Sequence, residues 1–137
     1  MAYLFKQKLN IADLVSAGQI RKKVLIYEPE EYLSALYAHY LQKHNFDVKH
    51  CPDLANLREA IVNFEPHIFV FCSDAPIFKL LPQLNSCLPG MHLVSTGLNC
   101  SHERLNELMS AGVLNHLNRR LSRPQDLVVI INSILNN

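Results

Sequence analysis

The sequence predicts an α/β fold in three layers, with a five-stranded parallel sheet between helices. Three observations lead there. Apolar runs of strand length alternate with helix-period segments five times. The runs lack the in–out alternation of a half-exposed sheet, as strands buried on both faces do. Turn residues punctuate them: Glu28-Pro29-Glu30, Pro66, Pro89-Gly90 and Ala111-Gly112. Right-handed crossovers through the helices then make the strands parallel.

The elements follow in order. Val24–Tyr27 (VLIY) is the first strand. Glu31–His44 reads as a helix, with Tyr32, Leu36, Tyr40 and Leu41 at helical spacing. Phe46–Cys51 is a short, partly polar strand. Asp53 is placed to cap a helix through Asn63, because Leu54, Leu57, Ala60 and Ile61 share a face. His67–Cys72 (HIFVFC) is the most strand-like run, rich in β-branched and aromatic residues. A helix is expected over Ile77–Leu88, where Pro82 either kinks it or marks a boundary. Met91–Thr96 is the fourth strand. Ser101 is placed to cap a helix over His102–Ser110, stopped by Ala111-Gly112. Val113–Leu117 is the fifth strand, and Pro124–Leu135 the last helix. Leu4, Leu9, Ile11, Leu14, Val15 and Ile20 suggest a short helix within an N-terminal extension, residues 1–22; residues 23–137 form the domain.

Composition narrows the function classes. A chain of 137 residues fits one domain, and 49% hydrophobic with 18% charged residues is a folded composition. The net charge of +1 gives no overall field for nucleic acid or membrane, though a local basic patch remains open. The four cysteines, at 51, 72, 87 and 100, form no C-x-x-C pair and read as small buried residues in a reducing compartment. His39, His44 and His50 have no Cys or carboxylate completing a metal set. No apolar run reaches the ~18 residues of a membrane span, and the chain does not open like a signal peptide. These features lead to the expectation of a soluble, cytoplasmic protein.

On such a sheet, ligands sit beyond the carboxyl ends of the strands. That places any chemistry near Glu28, Cys72, Thr96 and the residues after Leu117. There the chain resembles a response-regulator receiver domain, the CheY-like phosphoacceptor module of two-component signalling, over roughly residues 22–137. The resemblance implies a flavodoxin-like (βα)5 sandwich. It also implies a set of correspondences. Glu28 stands at the first position of the family's acidic pair; Pro29 replaces the second, with Glu30 one residue on. In Cys72-Ser73-Asp74-Ala75-Pro76, the spacing to the proline puts Cys72 at the phosphoacceptor and Asp74 two positions later. Thr96-Gly97 matches the hydroxyl and small residue ending the fourth strand. His116 fills the aromatic switch position, and Arg119-Arg120 replaces the Lys-Pro pair.

These departures imply a degenerate receiver, or pseudo-receiver. Phosphoryl transfer to a carboxylate needs an oxygen nucleophile and a bridging divalent cation. A thiolate is soft and a poor partner for Mg²⁺. A salt bridge from Arg119 to Glu28 is expected to close the old pocket. The function expected is a stand-alone, non-enzymatic signalling module without a cofactor, acting through contacts with another signalling protein or a second copy. Two alternatives stay open. One is a phosphorelay receiver using Asp74, with Glu28 and Glu30 holding Mg²⁺. The other is a thiol redox sensor, in which Arg119 lowers the pKa of Cys72. Arg119, Arg120 and Arg123, with Arg104 near, read as a basic cluster for an acidic partner or as a solvated edge. Nucleic acid is disfavoured, since no aromatics interleave the cluster. Tyr32, Tyr37 and Tyr40 lie on one helix and divide between core and surface. No nucleophile–base pair is legible in the sequence.

Overall fold

The computed structural model describes residues 21–74 and 76–136. The helix expected within residues 1–22 therefore lies outside the described residues, apart from Arg21 and Lys22. Five strands and five helices alternate: β1 Lys23–Tyr27, α1 Glu31–Lys43, β2 Asp47–His50, α2 Leu57–Phe64, β3 Ile68–Cys72, α3 Leu81–Cys87, β4 His92–Gly97, α4 His102–Ser110, β5 Asn115–Asn118 and α5 Asp126–Leu135. The strands form one sheet in the order β2-β1-β3-β4-β5, every neighbouring pair parallel. No helix among the described residues is long and apolar enough to cross a membrane.

Side-chain alternation divides the core in two. Leu25, Phe69, Phe71 and Leu93 point to one face, where Leu57, Ile61, Leu81, Leu84 and Leu108 cover them. Val24, Ile26, Val70 and Val94 point to the other, against Tyr37 and Leu41 of α1 and Leu127 and Ile131 of α5. All five residues of β3 are buried, as its unbroken apolar run requires.

Several boundaries differ from the sequence reading. The helix expected from Ile77 begins at Leu81, with Pro82 in its first turn; Ile77–Leu80 closes a turn instead (Leu80 N to Ile77 O, 2.9 Å). Pro82 is a boundary because a proline's missing N–H is harmless only in the first turn. The helix expected after Asp53 opens as a 3₁₀ turn, Leu54–Asn56, and becomes α-helical at Leu57. The fifth strand begins at Asn115 rather than Val113. Gly112, at φ 95°, turns the chain left-handed after α4, and the Val113 N–H returns to Leu108 O at 2.9 Å. Val113 thus plugs the end of the helix. Pro124 precedes α5 rather than opening it; Asp126 accepts the Arg123 N–H at 2.8 Å there. Ser101 caps α4 as the sequence predicts, accepting the Arg104 N–H at 3.1 Å.

Candidate functional site

Three acidic side chains meet around one guanidinium at the carboxyl end of the sheet. Glu28 follows β1 and is 3% exposed. Glu30 stands at the entrance to α1, and Asp74 lies in the loop after β3. Arg119 follows β5. Its Nη1 lies 3.5 Å from Glu28 Oε1 and 3.7 Å from Glu30 Oε2, and its Nη2 lies 3.5 Å from Asp74 Oδ2. The residues are far apart in sequence, yet strands of a parallel sheet all deliver their ends to the same place. The Arg119 N–H donates to Gly97 O at 2.9 Å, extending the β4–β5 ladder and fixing its backbone.

The carboxylates are also tied to the backbone. Glu28 Oε2 accepts the Glu30 N–H at 3.0 Å, bracing the turn around Pro29. Asp74 Oδ2 accepts the Leu98 N–H at 3.2 Å, joining the loop after β3 to the loop after β4. Burial pushes the Glu28 carboxyl above the usual range; the Glu30 N–H and Arg119 oppose this, while Glu30 and Asp74 add to it. Burial is the larger effect, so the guanidinium only partly compensates the buried charge.

Cys72 ends β3 beside these acids and is buried. The lowered pKa that the redox alternative requires is absent. Burial, with Glu28 adding to it, pushes the thiol up to about 11; the pull of Arg119 is a minor opposing effect. A neutral, buried thiol is a poor nucleophile. Thr96 lies in register with Cys72 on β4. Tyr37 of α1, 1% exposed, reaches the same spot, with Glu28, Arg119, Thr96 and Cys72 all acting on its phenol. Burial pushes that phenol to about 12. Thr96 Oγ1 is buried without a hydrogen bond of ordinary length.

On the opposite face of the sheet the end is neutral. Ser95 and His116 pair across β4 and β5, with Ser95 Oγ 2.7 Å from His116 Nδ1. Ser95 is fully buried, so this serine–histidine pair offers substrate no nucleophile. Among the described residues the ring's Nε2 is buried without a partner, as is Ser73 Oγ. Gly97 is packed between them: an added Cβ would collide with Ser73 Oγ and come within 3.1 Å of His116 Cε1. The sequence reading gave Ser73 and Ser95 no role at the site and took Tyr37 only as one of three tyrosines on a helix. A lone hydroxyl within an apolar strand was the available signal, because buried polar groups need partners.

The expected basic cluster does not form one patch. Arg119 turns into the carboxylates, 18% exposed. Arg123 pairs with Asp126 at 3.4 Å. Arg104 pairs with Glu107 at 3.8 Å and stacks over Phe78 at 4.1 Å. Arg120 is exposed, its N–H held by Asn118 Oδ1 at 2.9 Å. Among the described residues no group of three or more His, Cys, Asp or Glu side chains is arranged to hold a metal ion. A divalent cation does not fit between Glu28, Glu30 and Asp74, since a guanidinium already stands there. An open cavity of about 740 Å³ lies at the other end of the sheet, lined by Met91, Leu93, Leu114 and Ile134 among others.

A doubly wound order of β2-β1-β3-β4-β5 with a site at the carboxyl ends defines a flavodoxin-like α/β protein. Within that class the chain has the fold of CheY-like receiver domains. It is similar to a receiver domain protein from Methanospirillum hungatei JF-1, with a TM-score of 0.77, 19% identity, and coverage of 85% of this chain and 95% of that one. A response regulator from Thermotoga maritima matches with a TM-score of 0.78 and 10% identity over 86% of this chain and 100% of that one. An orphan response regulator of H. pylori matches with a TM-score of 0.76 and 13% identity over 83% and 98%. No protein-family model and no curated protein matches the sequence. At such identities the likeness carries the fold and leaves the chemistry to the residues.

Proposed function

We propose that the chain is a receiver-like signalling module that is not phosphorylated at the usual position and acts, without catalysis, through protein contacts. One observation carries this reading. The Arg119 guanidinium lies 3.5–3.7 Å from all three candidate acids, where a receiver would need them free for a cation. A fixed organic cation cannot bridge an incoming phosphoryl group to an acceptor as Mg²⁺ does, because it has no ligand positions to exchange. The residue at the acceptor position is a buried thiol, which adds support.

The two alternatives find less support. Asp74 Oδ2 is occupied by Leu98 N–H and Arg119, and Glu30 shares the same arginine. Cys72 is buried and its thiol is pushed toward the neutral form, which suits neither redox sensing nor acylation. The proposed partner is another signalling protein or a second copy. Exposed Met109, Leu114 and Leu121 lie on or beside α4 and β5, and large apolar side chains in the open suit an interface. The proposed compartment is the cytoplasm, in keeping with four free cysteines.

The test is intact mass after incubation with acetyl phosphate and Mg²⁺, with circular dichroism confirming the fold. Unchanged mass is expected. A gain of one phosphoryl group overturns the reading, and its loss in Asp74→Asn would then assign the phosphate to the displaced acid.

A further inference from the structure

His116 is held inward by one hydrogen bond, and among the described residues its other nitrogen has no partner. Its Nδ1 is 2.7 Å from Ser95 Oγ, and its Nε2 is buried and unpartnered. The neutral ring tolerates this arrangement, since one nitrogen of a neutral imidazole carries no proton. An imidazolium does not: both nitrogens then donate, and a net charge is buried without an acceptor for Nε2–H.

The surroundings offer the cation little. Beside the ring, β4 contributes Ser95 and Gly97, and the loop after β3 contributes Ser73 and Asp74. Asp74 is the one charged group that favours the protonated ring, and its Oδ2 is already shared by Arg119 and the Leu98 N–H. Cys100, near Ser73 in the loop after β4, has its thiol pushed up by burial and stays neutral. Arg104 of α4 is turned onto Phe78. Burial wins over Asp74, and the ring's affinity for a proton falls below the ordinary histidine value of 6.5. The ring also touches the point where the two loops meet: Gly97 lies against both His116 and Ser73.

We propose that His116 is a proton-operated latch on the carboxyl end of β5. Neutral, it is kept inward by Ser95 and packs beside Gly97. Protonated, it leaves this position for solvent, and the loops joined by Ser73, Asp74 and Leu98 lose their support. This rests on the proposed function and supplies an input for it: acidification takes the place of phosphorylation. Acid lowers stability here, because the unfolded chain binds the proton more tightly than the folded one; the loss begins near pH 6.5 and grows as pH falls through the lowered folded value.

The experiment is an NMR pH titration of the full chain, following the His116 ring together with the backbone amides of Ser73, Gly97 and Leu98. The expected result is a ring midpoint below 6.5, with all three amides shifting at that same midpoint. His116→Phe should abolish the amide shifts. That variant is needed because His67, whose Nδ1 accepts the Lys23 N–H at 3.0 Å, is also held below 6.5 by burial at the other end of the sheet. Ser95→Ala, which removes the inward hydrogen bond, should move the ring midpoint upward toward 6.5. A ring midpoint at or above 6.5 in the native protein, or amide shifts that persist in His116→Phe, overturns the latch. Should His116→Phe fail to fold, an unmoved ring midpoint in Ser95→Ala overturns it as well. Phosphorylation is read separately by mass, so either proposal can fail alone.

Discussion

The two faces of the sheet end in different ways. Toward α1 and α5 the end is charged: Glu28 is buried beside Arg119, and Tyr37 walls them in. Toward α2–α4 it is neutral, built from Ser73, Ser95, Gly97 and His116. The charged face is held by a guanidinium set among carboxyl groups, one of them buried. The neutral face is held by hydrogen bonding and close fit, and one of its members is a histidine whose affinity for a proton burial lowers. Fixed charge makes a lock, whereas a marginally neutral ring makes a point of release. The contrast teaches that an ion-paired arrangement on one face does not dictate how the other face is held.

Arg119→Met tests the charged face and should have the largest effect. It leaves Glu28 buried with no cation, which costs roughly 2–4 kcal/mol by analogy with broken buried pairs. The Glu28 carboxyl would then rise further. A raised folded pKa favours the native state at low pH and loses that advantage as pH climbs above the unfolded value. The melting deficit of Arg119→Met should therefore be smaller at pH 5 than at pH 7.5 in thermal scans. An equal deficit at both pH values would mean that the guanidinium is not compensating Glu28.

Gly97→Ala tests the neutral face and should cost about 1–3 kcal/mol in urea titrations, the usual range for overpacking a tight site. Ser73→Ala removes the atom that the new methyl meets, so the double variant should recover part of the loss. Strict additivity would show that the collision is relieved elsewhere. Smaller still is the reactivity difference between cysteines: native Cys72 should resist iodoacetamide at pH 8 while the half-buried Cys87 and Cys100 react faster. Arg123→Ala should be the mildest change, within about 0.5 kcal/mol, because its pair with Asp126 is exposed.

Much of the charged face was legible because charge is conspicuous in an apolar strand context. Glu28 after VLIY and Arg119 after the fifth strand were placed at the same end of the sheet once the strands were parallel, although β3 and β4 lie between their strands. Asp74 was visible as a loop acid, but its tie to the Leu98 N–H depends on how two loops approach, and no local pattern encodes that. The neutral face was harder. Ser95 sits in an otherwise apolar strand and looks like filler until its neighbour across the ladder is known to be His116. Tyr37 was recognisable as helical, but only the crossing of α1 over β1 and β3 decides that its hydroxyl ends among Glu28 and Cys72. The redox alternative at Cys72 stayed open in the sequence because desolvation depends on burial, which a sequence supplies only indirectly. The helix over Ile77–Leu88 was overextended because Ile77 and Leu81 are both core residues at helical spacing, whereas the turn ahead of Pro82 buries Ile77 without helix.

The strand order has a consequence for the chain as it is made. Strand β1 lies between β2 and β3. Synthesis runs from the N-terminus, so β1 can pair with β2 once His50 has emerged. Its other edge waits for Ile68–Phe71. Throughout that interval Val24–Tyr27 presents an uncharged row of open amides and carbonyls, the kind of edge on which nascent chains stick to one another. A ribosome halted between His50 and Phe71 would hold the protein in its most aggregation-prone form. The chain passes that danger only when its third strand closes over its first.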